Sequence, residues 1–103
     1  MKDIGLSQQE LALIVSVFRG HPKIEKVLIF GSRAKGTAKP SSDIDLAVEG
    51  IRDNLHVEAL TLELEELPLP YTFDVLSIHD IINASLLDHI ARVGIIIYEK
   101  NTP

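Results

Sequence analysis

The sequence has 103 residues, enough for one small domain, and 46% of them are apolar, enough for a single core without staples. It contains no cysteine, which excludes disulfides and thiolate metal sites, and no apolar run near the roughly 20 residues that cross a bilayer. Fifteen acidic residues against ten basic give a net charge of −5, the wrong sign for a protein whose main task is gripping nucleic acid.

Met1-Lys2-Asp3 leads into an amphipathic segment and not into the apolar core of a signal peptide, so the expected location is the cytoplasm. Ser7-Gln8-Gln9-Glu10 has the form of a capping box. Leu11, Ile14, Val15 and Phe18 follow at helical spacing, and Gly20-His21-Pro22 ends that helix. Lys26 to Phe30 is a short apolar, β-prone run that stops at Gly31-Ser32. From Arg33 to Ser42 the composition predicts a helical turn and then a loop. Asp43 to Val48 alternates polar with apolar and reads as a strand.

Gly50 breaks that strand, and Asp53 is placed to cap a second long helix. On it Leu55, Ala59, Leu62 and Leu67 are the expected apolar stripe, with Glu58, Glu63, Glu65 and Glu66 facing water. Pro68 and Pro70 end it. Tyr71 to Leu76 predicts a third strand, about Asp80 to Arg92 a last helix with Gly94 as a left-handed cap, and Ile95 to Tyr98 a final strand. No repeat, low-complexity tract or linker interrupts the chain. The alternation of elements predicts an α+β domain over residues 1–103, with a mixed sheet of about four strands flanked by helices.

Chemistry concentrates between Phe30 and Val48. Asp43 and Asp45 are two apart on a strand, so their carboxylates leave one face about 6–7 Å apart along the chain. Like charges so close repel, and a divalent cation relieves them; hard oxygen ligands select magnesium or manganese. A solvated strand edge or capping turn is the plain alternative for an isolated Asp-x-Asp. Here, though, Gly31-Ser32 ends a buried strand, where glycine lets backbone approach a ligand and Ser32 offers hydroxyl and amide donors. Arg33, Lys35 and Lys39 bring positive charge to the same short segment, which suits a small anionic ligand. Asp74 is a charge inside an otherwise apolar strand and wants a partner; an edge position or an arginine pair would also explain it.

Gly31-Ser32, the ten residues 33–42, Asp43-Ile44-Asp45 and the later Asp74 together resemble the signature of the polymerase-beta-like nucleotidyltransferase superfamily. The resemblance implies that fold, with Asp43, Asp45 and Asp74 as catalytic residues holding two Mg2+ ions and Asp74 helping to activate the acceptor hydroxyl. It implies further that Gly31 and Ser32 cradle the triphosphate of ATP, and that Arg33 contacts phosphate. The chain is similar to the minimal (MNT) type, which is commonly encoded beside a small helical HEPN protein and serves as antitoxin to that toxin. A chain this short leaves no second domain for the acceptor, so a partner chain or a second copy is expected to supply it.

The implied activity is transfer of AMP from ATP to a hydroxyl of the partner protein, with a tyrosine as the expected acceptor; neither a membrane nor nucleic acid is an expected partner. Two alternatives compete: a non-catalytic antitoxin that acts by contact, and nucleotidylation of a small molecule such as an aminoglycoside. His21, His56, His79 and His89 show no ligand spacing and are read as surface residues, with His79 alone near enough in sequence to Asp74 to approach the site. Tyr71 and Tyr98 read as core-edge aromatics. Ile95 to Ile97 reads as a strand, with a homo-oligomer contact as the alternative.

Overall fold

A computed structural model of the chain describes residues 4–36 and 43–100. Lys39, Pro40 and Ser42 of the expected loop therefore lie outside the described residues. Helix α1 (Gln8–Arg19) begins as the sequence predicts. Ser7 Oγ accepts from the Glu10 amide at 3.0 Å, and Glu10 Oε1 accepts from the Ser7 amide at 2.9 Å. Both orphan donors are thereby satisfied.

Strands β1 (Lys26–Phe30) and β2 (Ile44–Glu49) pair antiparallel and are linked through the one-turn helix α2 (Gly31–Lys35). Helix α3 (Asn54–Glu65) then carries the chain over to β3 (Phe73–Ser77), which lies parallel to β2. A 3-10 turn (Ile78–Asp80) and helix α4 (Ala84–Val93) lead to β4 (Ile95–Glu99), antiparallel to β1. The sheet order is β3-β2-β1-β4, a four-stranded mixed sheet in an α+β arrangement.

The period of two along each strand divides the apolar side chains between two faces. Val27, Ile29, Ile44, Leu46, Val48, Phe73 and Val75 join Ile14 and Phe18 of α1 and Leu60 and Leu64 of α3 in the main core. Phe30 and Ala47, on the opposite face, meet Ile90 of α4, with Leu28, Leu76 and Leu86 packed around them. Asp45 and Asp74 have the parity of Ala47 and Leu76, so they stand on the α4 face. Among the described residues no helix is long and apolar enough to cross a membrane.

Three local expectations are corrected. Helix α3 turns Leu60 and Leu64 inward and leaves Leu55 74% and Leu62 61% exposed. Leucines occupy both faces of this helix, so spacing alone cannot set its phase; burial of Val57, Leu60, Leu64 and Leu67 at intervals of three and four decides it. Gly94 is extended (φ −62°, ψ 139°) and not left-handed. It is small because a Cβ there would strike the Ile90 carbonyl and come within 3.1 Å of Leu28 Cδ2. The last helix starts at Ala84 and not at Asp80, because Asn83 caps it by accepting from the amides of Ser85 and Leu86.

Candidate active site

Strand register gathers the carboxylates. Asp45 is the partner of Phe30 across the antiparallel pair and of Asp74 across the parallel pair. Neighbouring strands lie about 4.8 Å apart, so Asp45 and Asp74 stand side by side on one face although 29 positions separate them. Asp43 comes just before β2 with the same parity and is exposed, as is Asp74; Asp45 is half-buried.

Gly31 follows Phe30 directly, which places the Gly31-Ser32 turn against Asp45. Its φ of +74° is left-handed, and a Cβ built there would collide with Asp45 Oδ2. Glycine is thus required both by backbone conformation and by the closeness of that carboxylate. The turn continues directly into α2, which Gly36 closes in a left-handed conformation (φ 78°).

Burial pushes the Asp45 carboxyl above its ordinary value, and the like charges of Asp74 and Asp43 push it further; Arg33 partly opposes them. A carboxylate disfavoured by burial and by two like-charged neighbours is the electrostatic setting that a divalent cation relieves. The all-oxygen donors therefore fit magnesium. Among the described residues no three imidazole or carboxylate groups are drawn close enough to hold an ion unaided.

Arg33, the residue after the Gly31-Ser32 turn, is buried. Its side chain is only 1% exposed. Nη1 donates to the carbonyls of Ile4 at 3.1 Å and Gly5 at 3.3 Å, and the guanidinium carbon stands 4.8 Å from the centroid of the Tyr71 ring. These contacts tie the Arg33 side chain to the N-terminal arm and to Tyr71. Tyr71, read from sequence as a core-edge aromatic, also donates its hydroxyl to Glu10 Oε2 at 2.8 Å. Nothing local marked this link, which joins positions 61 apart; the one available signal was a tyrosine just ahead of the Asp74 strand.

The histidines occupy three separate places. His79 Nε2 accepts from the Gly50 amide at 3.0 Å, at the end of β2 opposite Asp45, so it does not approach the site. A cavity of about 430 Å3 bordered by Lys23, Arg52, His79 and Lys100 lies at that far end, whereas the carboxylates occupy the opposite rim of the sheet. His89 packs edge-on against Phe30, with centroids 6.2 Å apart. His21 and His56 are brought together, which sequence spacing did not indicate. Glu63 Oε2 accepts from His21 Nε2 at 2.6 Å, and His21 Nδ1 shares a hydrogen bond with His56 Nε2 at 2.8 Å.

Comparison with known proteins agrees with this geometry. The sequence pattern of the family described as "Polymerase beta, Nucleotidyltransferase" matches residues 13–103. The chain is 31% identical over 99 residues to a probable protein adenylyltransferase, MntA, of Haemophilus influenzae, covering 94% of this chain and 86% of that protein. Its fold is similar to a chain of a toxin–antitoxin crystal structure with AMP-PNP (TM-score 0.74, 23% identity, covering 88% of this chain and 74% of the other). It is also similar to a chain in the structure of a tri-AMPylated Shewanella oneidensis HEPN toxin in complex with an MNT antitoxin (TM-score 0.70, 20% identity, covering 92% and 74%).

Proposed function

The chain belongs to the polymerase-beta nucleotidyltransferase family, and from that premise we propose that it transfers AMP from ATP to a hydroxyl of a partner protein. The partner in this reading is a small helical HEPN toxin, and the chain is its antitoxin. The observation that carries the proposal is the meeting of Asp45, Asp74 and the Gly31-Ser32 turn on one rim of the sheet. The protein adenylyltransferase activity ascribed to the Haemophilus influenzae relative and the AMPylated toxin of the Shewanella oneidensis complex support the choice of nucleotide and acceptor. Residues 1–103 act as one domain, in the cytoplasm.

Asp43, Asp45 and Asp74 would hold magnesium, which would supply charge neutralisation for the triphosphate and the departing pyrophosphate. Gly31 leaves room for phosphate beside Asp45, and Ser32 supplies hydroxyl and amide donors to the same oxygens. The acceptor oxygen forms a bond to the α-phosphorus while the bond from that phosphorus to the α,β-bridging oxygen breaks. The electron pair leaves with pyrophosphate, and the hydroxyl proton passes to the Asp74 carboxylate. Positioning and charge neutralisation do most of the work, since no covalent enzyme intermediate is needed.

The test is the intact mass of the HEPN partner after incubation with the chain, ATP and magnesium. A gain of one or more adenylyl groups supports the proposal; an unchanged mass with magnesium present contradicts it. Exposed apolar side chains at Leu55, Leu62, Ile82 and Ile96 favour a second reading, neutralisation by contact. In that case a chain with Asp43 and Asp45 both replaced still protects cells from the toxin.

A further inference from the structure

We propose that Arg33 is a positioning residue which, with Tyr71 and Glu10, holds the Gly31-Ser32 turn in register with Asp45 and Asp74. The proposal rests on the nucleotidyltransferase reading above and assigns residues beyond the carboxylates and the turn. A buried guanidinium is a costly way to fill a core, because it must be stripped of water and re-satisfied by fixed acceptors. Here the acceptors come from far along the chain. The carbonyls of Ile4 and Gly5 receive Nη1, and the Tyr71 ring covers the guanidinium face at 4.8 Å.

Each of these contacts leads to a part of the site. Arg33 is the residue after Ser32, so whatever holds its side chain fixes the first turn of α2. Tyr71 comes two residues before β3, whose second residue is Asp74. Its hydroxyl is held by Glu10 Oε2, and the other oxygen of that carboxylate accepts from the Ser7 amide. Glu10 thereby joins the start of α1 to the approach to β3, and Arg33 joins both to the turn. The N-terminal arm closes the arrangement only because residue 5 is glycine. Its φ is +76°, and a Cβ there would lie 2.8 Å from Arg33 Nη1.

A purely structural arginine and a positioning arginine respond differently to an apolar residue of similar length. Replacing a buried charged side chain by apolar atoms of similar volume removes its desolvation cost together with its hydrogen bonds. Arg33→Met is therefore expected to fold, checked by circular dichroism and melting. Its KM for ATP in partner labelling rises and kcat falls by roughly 10–100-fold in combination, the scale set by a misplacement of about 1 Å. Arg33→Lys restores part of this, and Tyr71→Phe, which keeps the ring but not the link to Glu10, shows a smaller rise in KM. Glu10→Gln combined with Tyr71→Phe is expected to cost no more than the larger single change, because both remove one shared bond.

Amide hydrogen exchange over Gly31–Lys35 is measured in the same variants and requires no catalysis, so it separates this proposal from the transfer reading. Faster exchange confined to that turn and to the start of β2 supports positioning. A folded Arg33→Met chain with unchanged exchange and, where transfer is measurable, unchanged KM and kcat overturns it, as do fully additive effects of the Glu10 and Tyr71 changes. If Arg33→Met does not fold, Tyr71→Phe and its exchange pattern decide alone.

Discussion

Helix α1 is tied down at both ends by polar side chains, and the two ties differ in what they hold. At its start, Ser7 and Glu10 reach through Tyr71 to Arg33 and so to the turn beside Asp45. Just past its end, His21 bridges His56 and Glu63 on α3, away from any carboxylate of the site. Both are chains of hydrogen bonds between distant segments, and each fixes α1 to a neighbour. Chemistry of the contact therefore does not mark a residue as functional; the element at the other end of the contact does. Substitutions at the first tie are expected to alter nucleotide handling, and substitutions at the second only stability.

The largest expected effect falls on the site itself. Asp45→Asn should reduce transfer by roughly 10²–10³-fold, the loss seen when one preorganised charge-stabilising group is removed. Stability should move the other way. Because the Asp45 pKa is raised in the folded state, the native chain binds more protons than the unfolded one above the ordinary value of 3.8. Stability then falls as pH rises from that value through the raised one, and the asparagine variant lacks this fall. Denaturant titrations at acid and neutral pH measure the difference.

Gly31→Ala comes next. A residue with a Cβ resists φ +74° and would meet the Asp45 carboxylate, so the expected cost exceeds about 1 kcal/mol, with weakened ATP binding besides. At the other tie, His21→Ala leaves His56 and Glu63 without their shared partner and should cost roughly 0.5–1.5 kcal/mol, because the half-exposed Glu63 turns to water. The KM for ATP should stay at its original value. A rise in KM there would erase the distinction between the two ties.

The smallest effect concerns pH at the first tie. The Ser7 amide, and after it the Tyr71 hydroxyl, hold the Glu10 carboxyl below its ordinary 4.5. Stability from these bonds is then fully present above 4.5 and disappears as pH falls through the lowered value. Glu10→Gln should melt below the original chain at neutral pH and converge with it in acid. A gap that persists at low pH would mean that Glu10 acts by packing and not by charge.

What the sequence discloses follows the range of each interaction. The capping box at Ser7 and Glu10 spans three residues and could be read directly. So could β2, where Ile44, Leu46 and Val48 alternate with the carboxylates and all three are fully buried. Asp74 stood out as a charge in an apolar strand, and the site is assembled from such short-range signals plus sheet register. Helix α3 defeated the pattern because Leu55 and Leu62 compete with Leu60 and Leu64 for the inner face, and only the packed sheet chooses. Arg33 beside Gly31-Ser32 reads as a ligand for phosphate; its burial depends on an arm 28 residues earlier and a ring 38 residues later. The pairing of His21 with His56 and Glu63 spans 35 and 42 positions and leaves no local trace.

In the proposed reaction Asp43 and Asp45, beside the Gly31-Ser32 turn, move AMP onto a protein. Label transfer from α-labelled ATP with magnesium to the HEPN partner, run beside a chain carrying Asp43→Ala and Asp45→Ala, tests it most directly. Label is expected on the partner with the original chain and none with the doubly substituted one. Equal labelling by both, or tight complexes formed by both with no label in either, would contradict the proposed reaction.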